Sequence, residues 1–207
     1  MIYMEELRYQ PSFIEEVKEI TSGDRPTPII VIKSGKTVAG AAAAASHTGA
    51  LAGTEAVYDA IFNQSGIIRV DSVNDLFDVA IAFSTQKIPT GNHVAIITNA
   101  GGPGIIATDM TEISGLELAK FNPDTTQKLR EFLPPTANIN NPVDVIGDAS
   151  KDRYEQALEA VISDENVDGV LMILTPQSMT DAIGTAEAIS SIYKTTNKPI
   201  LCSFMGV

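Results

Sequence analysis

The sequence predicts an α/β protein with parallel sheets covered by helices, arranged in two lobes. Short runs of Val, Ile and Leu alternate with amphipathic segments, and runs that are apolar throughout are typical of strands buried on both faces. A strand–helix–strand unit also occurs twice. Its final strands, in residues 28–35 and 199–206, both begin with Pro-Ile and have Gly seven residues after the Pro.

The first half of the chain alternates strands and helices. Phe13, Val17 and Ile20 have the spacing of one helical face. Gly66 suits a left-handed helix end, and Ser72 with Asp75 resembles a capping box. The predicted elements are strand 2–4, helix 12–20, strand 28–32, a loop of small residues over 33–53, helix 54–64, strand 67–70 and a helix that includes 76–83.

The second half continues the alternation after a predicted linker at 87–92. Its clearest helix has apolar residues at i, i+3, i+4, i+7 and i+8, beginning at Tyr154. The predicted elements are strand 93–98, a Gly-rich turn, helix 105–114, a Pro-rich segment over 133–142, strand 143–145, helix 151–163, strand 170–174, helix 181–193 and strand 200–204.

The repeated unit predicts two domains, residues 1–87 and 88–207. The first copy begins too late to include early strands, and the second stops soon after its final strand. We therefore expect a window cut from a longer protein, with an incomplete first lobe. The alternative is one domain whose strand–helix units look alike. An incomplete sheet exposes strand edges, so self-association is expected.

Composition excludes several classes of partner. The net charge of −12 argues against binding to a nucleic-acid backbone, and the absence of Trp disfavours base stacking. The longest apolar run, residues 38–45, is far too short to span a bilayer. With Cys202 as the single cysteine, no internal disulfide can form, and its apolar strand predicts a core position. No secretory signal is visible, so a cytoplasmic protein is expected.

The first chemical motif is Ser46-His47-Thr48-Gly49, which contains one of the two histidines. Small neighbours leave the imidazole accessible, and it titrates near neutrality. Such a histidine can be a general base, a ligand or a phosphoryl acceptor. No second His or Cys lies nearby to complete a metal site. The alternative is a histidine hydrogen-bonded within its own loop.

The second motif, residues 99–104, joins a strand to a helix N-terminus. Free N–H groups and the helix dipole favour an anion there, and glycines let a phosphate approach the backbone. It is not the dinucleotide fingerprint, because Ala107 stands at the third glycine position. A tight strand–helix turn without a ligand is the alternative.

Further polar residues follow predicted strands. Asp144 and residues 175–177 lie near strand ends, where open α/β sheets bind ligands, although such residues more often cap turns. Glu5 and Glu6 follow the first strand, and either could orient an imidazole. The alternative for this pair is two solvated carboxylates.

Several segments resemble one family. PIIVIKSGKTVAGAAAAASHTGALAG and GIIRVDSVNDLFD resemble the phosphohistidine region of ADP-forming acetyl-CoA synthetases, in the succinyl-CoA synthetase superfamily. HVAIITNAGGPGIIATDM, NPVDVIGDASKDRY and VLMILTPQSMTDA resemble the next domain of that family. The resemblance covers essentially the whole chain. It implies a flavodoxin-like fold, with the later part of one domain followed by most of a second.

The resemblance also implies a function: conversion of acetyl-CoA, ADP and phosphate into acetate, ATP and CoA. His47 falls on the phosphorylated histidine, and its loop is expected to swing to the nucleotide site of an ATP-grasp domain. Glu5 falls on the carboxylate that orients the imidazole, with Glu6 as the less favoured choice. The residues expected to hold phosphate are Ser46, Thr48, Gly49, Asn99, Gly101, Gly102 and Gly104.

The same resemblance sets the expected cofactors and partners. ATP or ADP, Mg²⁺ and CoA belong to the complete enzyme, and this part of it is expected to bind no cofactor. Acyl-CoA, phosphate and ADP are reached through missing domains, including an ATP-grasp domain or subunit in a homo- or hetero-oligomer. The alternatives are a non-catalytic regulatory module, of the kind fused to protein acetyltransferases, and a flavin-binding protein.

Overall fold

The computed structural model describes residues 1–7, 10–48 and 55–206, without the side chains of Ala45, His47 and Thr48. The chain divides into two compact units, Met1–Gln86 and Lys87–Val207, called unit 1 and unit 2 below. Gly49 and Thr54, to which the sequence assigned a phosphate contact and a helix cap, lie outside the described residues. Within the described ranges, no helix combines the length and apolarity needed to cross a bilayer.

Unit 1 contains a three-stranded parallel sheet in the order β1-β2-β3. Val31 of the central strand packs with Tyr58 and Phe62 on one face, while Ile30 packs with Leu76 on the other. The sheet is therefore covered on both faces. Its elements are β1 (Ile2–Met4), α1 (Phe13–Ser22), β2 (Ile30–Lys33), α2 (Val38–Thr48), α3 (Glu55–Ser65), β3 (Ile68–Val70) and α4 (Val73–Thr85).

Helix α2 corrects the prediction of a continuous loop over residues 33–53. Small residues suggested a loop, but alanine has the highest intrinsic helix propensity, and α2 contains an unbroken run of five. The helix starts behind Thr37, whose Oγ1 accepts a hydrogen bond from the Gly40 N–H at 3.0 Å. Propensity and a cap together outweigh the two glycines at the start of the segment.

The helix-end signals of unit 1 are confirmed. Ser72 Oγ accepts from the Asp75 N–H at 3.0 Å, and Asp75 Oδ2 accepts from the Ser72 N–H at 3.1 Å. This reciprocal pair is the predicted capping box, and it starts α4. Gly66 adopts a φ of 69°, the left-handed backbone that a glycine accepts without steric cost.

Unit 2 contains a parallel sheet in the order β5-β4-β7-β8, with β6 also paired to β4. Ile97 of β4 and Met172 of β7 are fully buried against Tyr154 and Leu158 of α7. The elements are β4 (His93–Thr98), α5 (Gly101–Ile113), β5 (Glu117–Leu118), α6 (Pro123–Phe132), β6 (Val143–Asp144), α7 (Lys151–Ile162), β7 (Gly169–Leu174), α8 (Ala182–Tyr193) and β8 (Ile200–Phe204).

The repeated strand–helix–strand unit is confirmed, because β1 pairs with β2 and β7 pairs with β8 in parallel. The sequence did not predict strand β5 or helix α6, and two further predictions for unit 2 are wrong. Helix α5 starts at Gly101 instead of residue 105, since the Gly-rich turn is already helical. Helix α6 was not predicted because only two of its ten residues, Leu129 and Phe132, are apolar apart from Pro123. Cys202 is exposed instead of buried, because β8 lies at the sheet edge.

Asn141 completes the outer side of β4, where β5 and β6 pair with different halves of that strand. Its Oδ1 accepts from the Ile96 N–H at 2.9 Å. Its Nδ2 donates to the carbonyls of Val94 and Ala119, at 2.7 and 3.1 Å. The side chain thus supplies the hydrogen bonds that a continuous neighbouring strand would make.

We expect Asn141→Ala to destabilise unit 2 by about 2–4 kcal/mol, because it leaves buried backbone groups unsatisfied. The measurement is native-state hydrogen exchange of the β4 and β7 amides, which should accelerate by about 30-fold or more. The control is Asn140→Ala, since Asn140 is exposed. Equal exchange rates in the two variants would contradict this role of Asn141.

Candidate functional site

The carboxyl ends of the unit 1 strands meet at one edge, as parallel pairing requires. This edge contains a pocket of about 430 Å³ between the strand ends and α2. The residues that line it are Tyr3, Glu5, Ser34, Gly35, Gly40, Ala43 and Ala44. Because most of these residues are small, the pocket is open where a larger side chain would fill it.

Glu5 is the carboxylate of this pocket. The Tyr3 hydroxyl donates to Glu5 Oε1 at 3.3 Å, which orients the carboxylate at the end of β1. The pocket lining includes Glu5 and leaves out Glu6. Of the two candidates from the sequence, Glu5 is therefore the one that the structure places opposite α2.

Helix α2 lines the pocket with Gly40, Ala43 and Ala44, and it ends in the histidine motif. His47 lies in the last turn of α2, four residues after Ala43, which lines the pocket. Ser46 is exposed, and its hydroxyl donates to the Ala43 carbonyl at 2.7 Å, within its own helix. Thr48 ends the helix. The structure thus places the motif at the end of a helix that borders the Glu5 pocket.

Two lysines at this edge were missed by the sequence analysis. Lys36 forms an ion pair with Asp71, and this hydrogen bond lowers the pKa of the Asp71 carboxyl. Lys33, at the end of β2, is only 2% exposed. The available signal for Lys33 was a single charge at the end of the apolar run of residues 28–32.

In unit 2, the Gly-rich turn forms the first turn of α5. The first N–H groups of a helix have no intrahelical acceptor, and the helix dipole adds partial positive charge there. A Cβ atom added at Gly101 or Gly102 would meet no atom within 4 Å, so the space beside both residues is open. At Gly104, in contrast, it would lie 3.0 Å from Thr98 Cγ2. Gly101 and Gly102 therefore suit a bound anion, whereas Gly104 serves the packing of α5 on β4.

Asn99 has a structural role that the sequence did not reveal. It is 4% exposed, and its Nδ2 donates to the Thr175 carbonyl at 2.8 Å. Its Oδ1 accepts from the Thr175 N–H at 2.8 Å and from the Thr175 hydroxyl at 3.0 Å. The side chain thus joins the carboxyl ends of β4 and β7 and fixes the chain immediately before α5.

Asp144 caps a turn, which was the alternative to a ligand contact. Its Oδ1 accepts from the Ile146 N–H at 2.8 Å. Ile146 adopts a φ of 69°, a conformation that costs a β-branched residue about 1–3 kcal/mol. The capping hydrogen bond helps to hold this turn at the edge of the sheet.

The described residues contain no group of three or more His, Cys, Asp or Glu side chains that could hold a metal ion. His93, the second histidine, lies at the opposite end of β4 from the Gly-rich turn. Its Nδ1 lies 3.0 Å from Asp168 Oδ2. The pKa of the Asp168 carboxyl is lowered, and the largest cause is the hydrogen bond from the backbone N–H of His93. The contact with the His93 ring lowers this pKa further.

Parallel α/β units of this kind bind ligands at the carboxyl ends of their strands. Family models identify the class more closely. Residues 1–83 match the succinyl-CoA ligase like flavodoxin domain, and residues 94–207 match the Ligase-CoA domain. The chain therefore belongs to the Ligase-CoA family, with a succinyl-CoA ligase-like flavodoxin segment preceding that domain.

Curated relatives support the same family assignment. Over its full length, the chain is 43% identical to ADP-forming acetate–CoA ligase I of Archaeoglobus fulgidus, of which it covers 28%. It is 40% identical, over 99% of its length, to the alpha subunit of ADP-forming acetate–CoA ligase II of Pyrococcus furiosus, of which it covers 45%. The predicted resemblance to ADP-forming acetyl-CoA synthetases is confirmed. The chain spans less than half of the length of these relatives.

A solved structure confirms the flavodoxin-like, succinyl-CoA synthetase-like fold. The chain matches acetyl-coenzyme A synthetase 1 of Ca. Korarchaeum cryptofilum, in complex with phosphate and ADP, with a TM-score of 0.91. The match has 36% sequence identity and covers 100% of this chain and 45% of that one.

We expect inorganic phosphate to bind weakly at the start of α5. In a phosphate titration followed by NMR, the Gly101 and Gly102 amide signals should move first, because these N–H groups head the helix. The Gly115 and Gly169 amides, elsewhere in unit 2, serve as controls. A response confined to other amides would show that α5 is not the anion site.

Proposed function

We propose that this chain is the part of an ADP-forming acyl-CoA synthetase that carries the phosphorylated histidine, His47. The observation that carries the proposal is the pocket at the unit 1 edge, which Glu5 and α2 line together. A carboxylate and a helix ending in a histidine motif at one pocket are the parts that histidine phosphorylation needs. The identity to ADP-forming acetate–CoA ligases over the whole chain supports it.

The proposed reaction has three steps. A phosphate oxygen attacks the thioester carbonyl of an acyl-CoA, and CoA leaves as the thiolate, which gives an acyl phosphate. An imidazole nitrogen of His47 then attacks the phosphorus, and the carboxylate leaves. Finally, ADP takes the phosphoryl group to give ATP. His47 thereby divides one difficult transfer into two easier ones.

Glu5 is proposed to orient the imidazole. A carboxylate that accepts from one ring N–H fixes the tautomer, so the other nitrogen keeps its lone pair for attack on phosphorus. The negative charge also stabilises the imidazolium that develops. The hydrogen bond from the Tyr3 hydroxyl supports this role, because it holds the Glu5 carboxylate at the pocket.

The first turn of α5 is proposed to stabilise the phosphoryl group through the Gly101 and Gly102 amides. Preorganised N–H donors are most effective where charge develops in the transition state. A protein with a net charge of −12 repels anions in general, so local donors matter more. Asn99 and Gly104 support this turn through its anchoring and packing, as described above.

We propose the following organisation for the whole protein. Residues 1–87 are the later part of one flavodoxin-like domain, and residues 88–207 are most of a second. Mg²⁺ and the nucleotide are held mainly by an ATP-grasp domain or subunit, and CoA is held mainly by a CoA-binding domain. The complete protein is a cytoplasmic oligomer. Two facts support this: one relative is named as an alpha subunit, and the solved neighbour contains ADP and phosphate.

We expect labelled ATP to place an acid-labile, base-stable phosphate on His47 in the complete ligase, and His47→Ala to abolish both this label and acetate-dependent ATP consumption. His93→Ala is the control, because His93 lies at the amino end of β4. Full phosphotransfer in His47→Ala would refute the proposal. A base-labile adduct would indicate a carboxylate acceptor, and no labelling would favour the non-catalytic regulatory module.

We expect Glu5→Gln to slow phosphorylation of His47 by about 30- to 10³-fold, equivalent to about 2–4 kcal/mol of transition-state stabilisation. Glu6→Gln should change the rate little, because Glu6 is not part of the pocket lining. The measurement is rapid-quench phosphorylation of the complete ligase. The reverse order of effects would assign the orienting carboxylate to Glu6.

A further inference from the structure

Lys33 is a buried charge that the proposed reaction has not yet used. It is 2% exposed at the end of β2, where the preceding residues are all apolar. Burial of an ammonium group costs several kcal/mol unless compensating contacts surround it. An apolar residue would pack equally well at this end of the strand at a lower free-energy cost. Packing alone therefore does not explain the buried charge.

The contacts of Lys33 lie on both sides of the stretch that contains His47. Its Nζ donates to the Ser34 carbonyl at 2.5 Å, where the chain leaves β2 toward α2. The same Nζ lies 4.5 Å from the centre of the Tyr58 ring, in the first half of α3, which is a cation–π contact. One ammonium group therefore touches the chain before α2 and the helix that follows the histidine motif.

The charges that act on the Lys33 ammonium group also lie at the pocket and at the start of α3. Burial lowers the pKa of Lys33, Glu55 raises it, Arg69 lowers it, and Glu5 raises it. Glu55 is the first residue of α3, and Glu5 is the pocket carboxylate. The cationic end of Lys33 thus lies in the field of the pocket carboxylate and of a carboxylate at the start of α3.

We propose that Lys33 is a positioning residue for His47, holding the Ser34 end and the α3 end of the histidine-bearing stretch in one fixed relation. This inference rests on the proposed function. A fixed separation of the two ends restricts the positions that the stretch between them can adopt. Positional precision of this kind supplies much of the rate in transfers between bound groups.

Arg69 holds α3 by a second route that allows a controlled comparison. Its Nη2 donates to Glu55 Oε2 at 2.5 Å, and its Nη1 donates to Asp59 Oδ1 at 2.6 Å. Both carboxylates therefore bind Arg69, whereas only Glu55 is among the charges that act on Lys33. Neutralising Glu55 changes the surroundings of both Arg69 and Lys33, whereas neutralising Asp59 changes those of Arg69. The two variants therefore separate the contribution of Lys33 from the attachment of α3 by Arg69.

The first test is rapid-quench phosphorylation of His47 in the complete ligase carrying Lys33→Met. We expect the rate constant to fall by about 30-fold or more, the range of a desolvated cation–π contact, while the final stoichiometry stays unchanged. A loss of stoichiometry without a change in rate would indicate inactive protein and overturn the proposal. Lys33→Arg, which keeps the charge, should restore most of the rate.

The control is Lys198→Met. Lys198 is a comparable lysine in unit 2, with a pKa lowered by burial, and its Nζ donates to the Ile162 and Asp164 carbonyls. This variant should retain the phosphorylation rate, so an equal loss in both variants would overturn the proposal. Hydrogen exchange of residues 38–48 and 55–58 should accelerate in Lys33→Met, and unchanged exchange there would also overturn it.

A second pair of variants covers the case in which Lys33→Met does not fold. Glu55→Gln should slow phosphorylation in the same direction, and Asp59→Asn should not. Equal rates in these two variants would overturn the role of Lys33. Failure of the proposed function is distinguishable, because then His47 of the unchanged protein would carry no label, whereas failure of this inference leaves that label intact.

Discussion

Parallel strand pairing is the constraint on which the rest of the structure depends. It brings every carboxyl strand end of a unit to one edge, where the polar backbone must find partners while the edge stays open. Unit 2 meets this demand with side-chain amides. Asn99 bonds to Thr175 across the ends of β4 and β7, and Asn141 replaces a neighbouring strand along β4.

Unit 1 meets the same demand with charge. Lys33 contacts Ser34 and Tyr58 at the end of β2, and Lys36 pairs with Asp71 between the ends of β2 and β3. An amide is inexpensive to bury once it is hydrogen-bonded, but it acts only over bonding distance. A buried ammonium costs more, yet its field reaches several groups at once. A charge therefore suits an edge at which two separate stretches of chain must be kept together.

The sequence predicted most strands because they are apolar throughout, and it predicted the start of α4 because a capping box is a local signal. It failed where local signals conflict. Residues 38–48 combine glycine with alanine, so the small size of the residues predicts a loop while the alanine propensity predicts a helix. Helix α6 is polar apart from a narrow face. The roles of Asn99, Asn141 and Lys33 could not be predicted, because their partners lie on other elements. For the candidate site, the sequence located the motifs, while only the structure distinguished Glu5 from Glu6 at the pocket.

The small residues of α2 and of the first turn of α5 made these helical segments hard to predict, and they also explain what the two edges can bind. Gly40, Ala43 and Ala44 border the unit 1 pocket, while Gly101 and Gly102 leave open space at the start of α5. A helix built from such residues keeps a rigid backbone but presents almost no side chain to the space beside it. The free N–H groups of the first turn of α5 are then within reach of a phosphoryl group. Small residues within a helix therefore leave the backbone accessible to a ligand while the helix stays ordered. A loop of the same composition would leave the backbone accessible but would be less ordered.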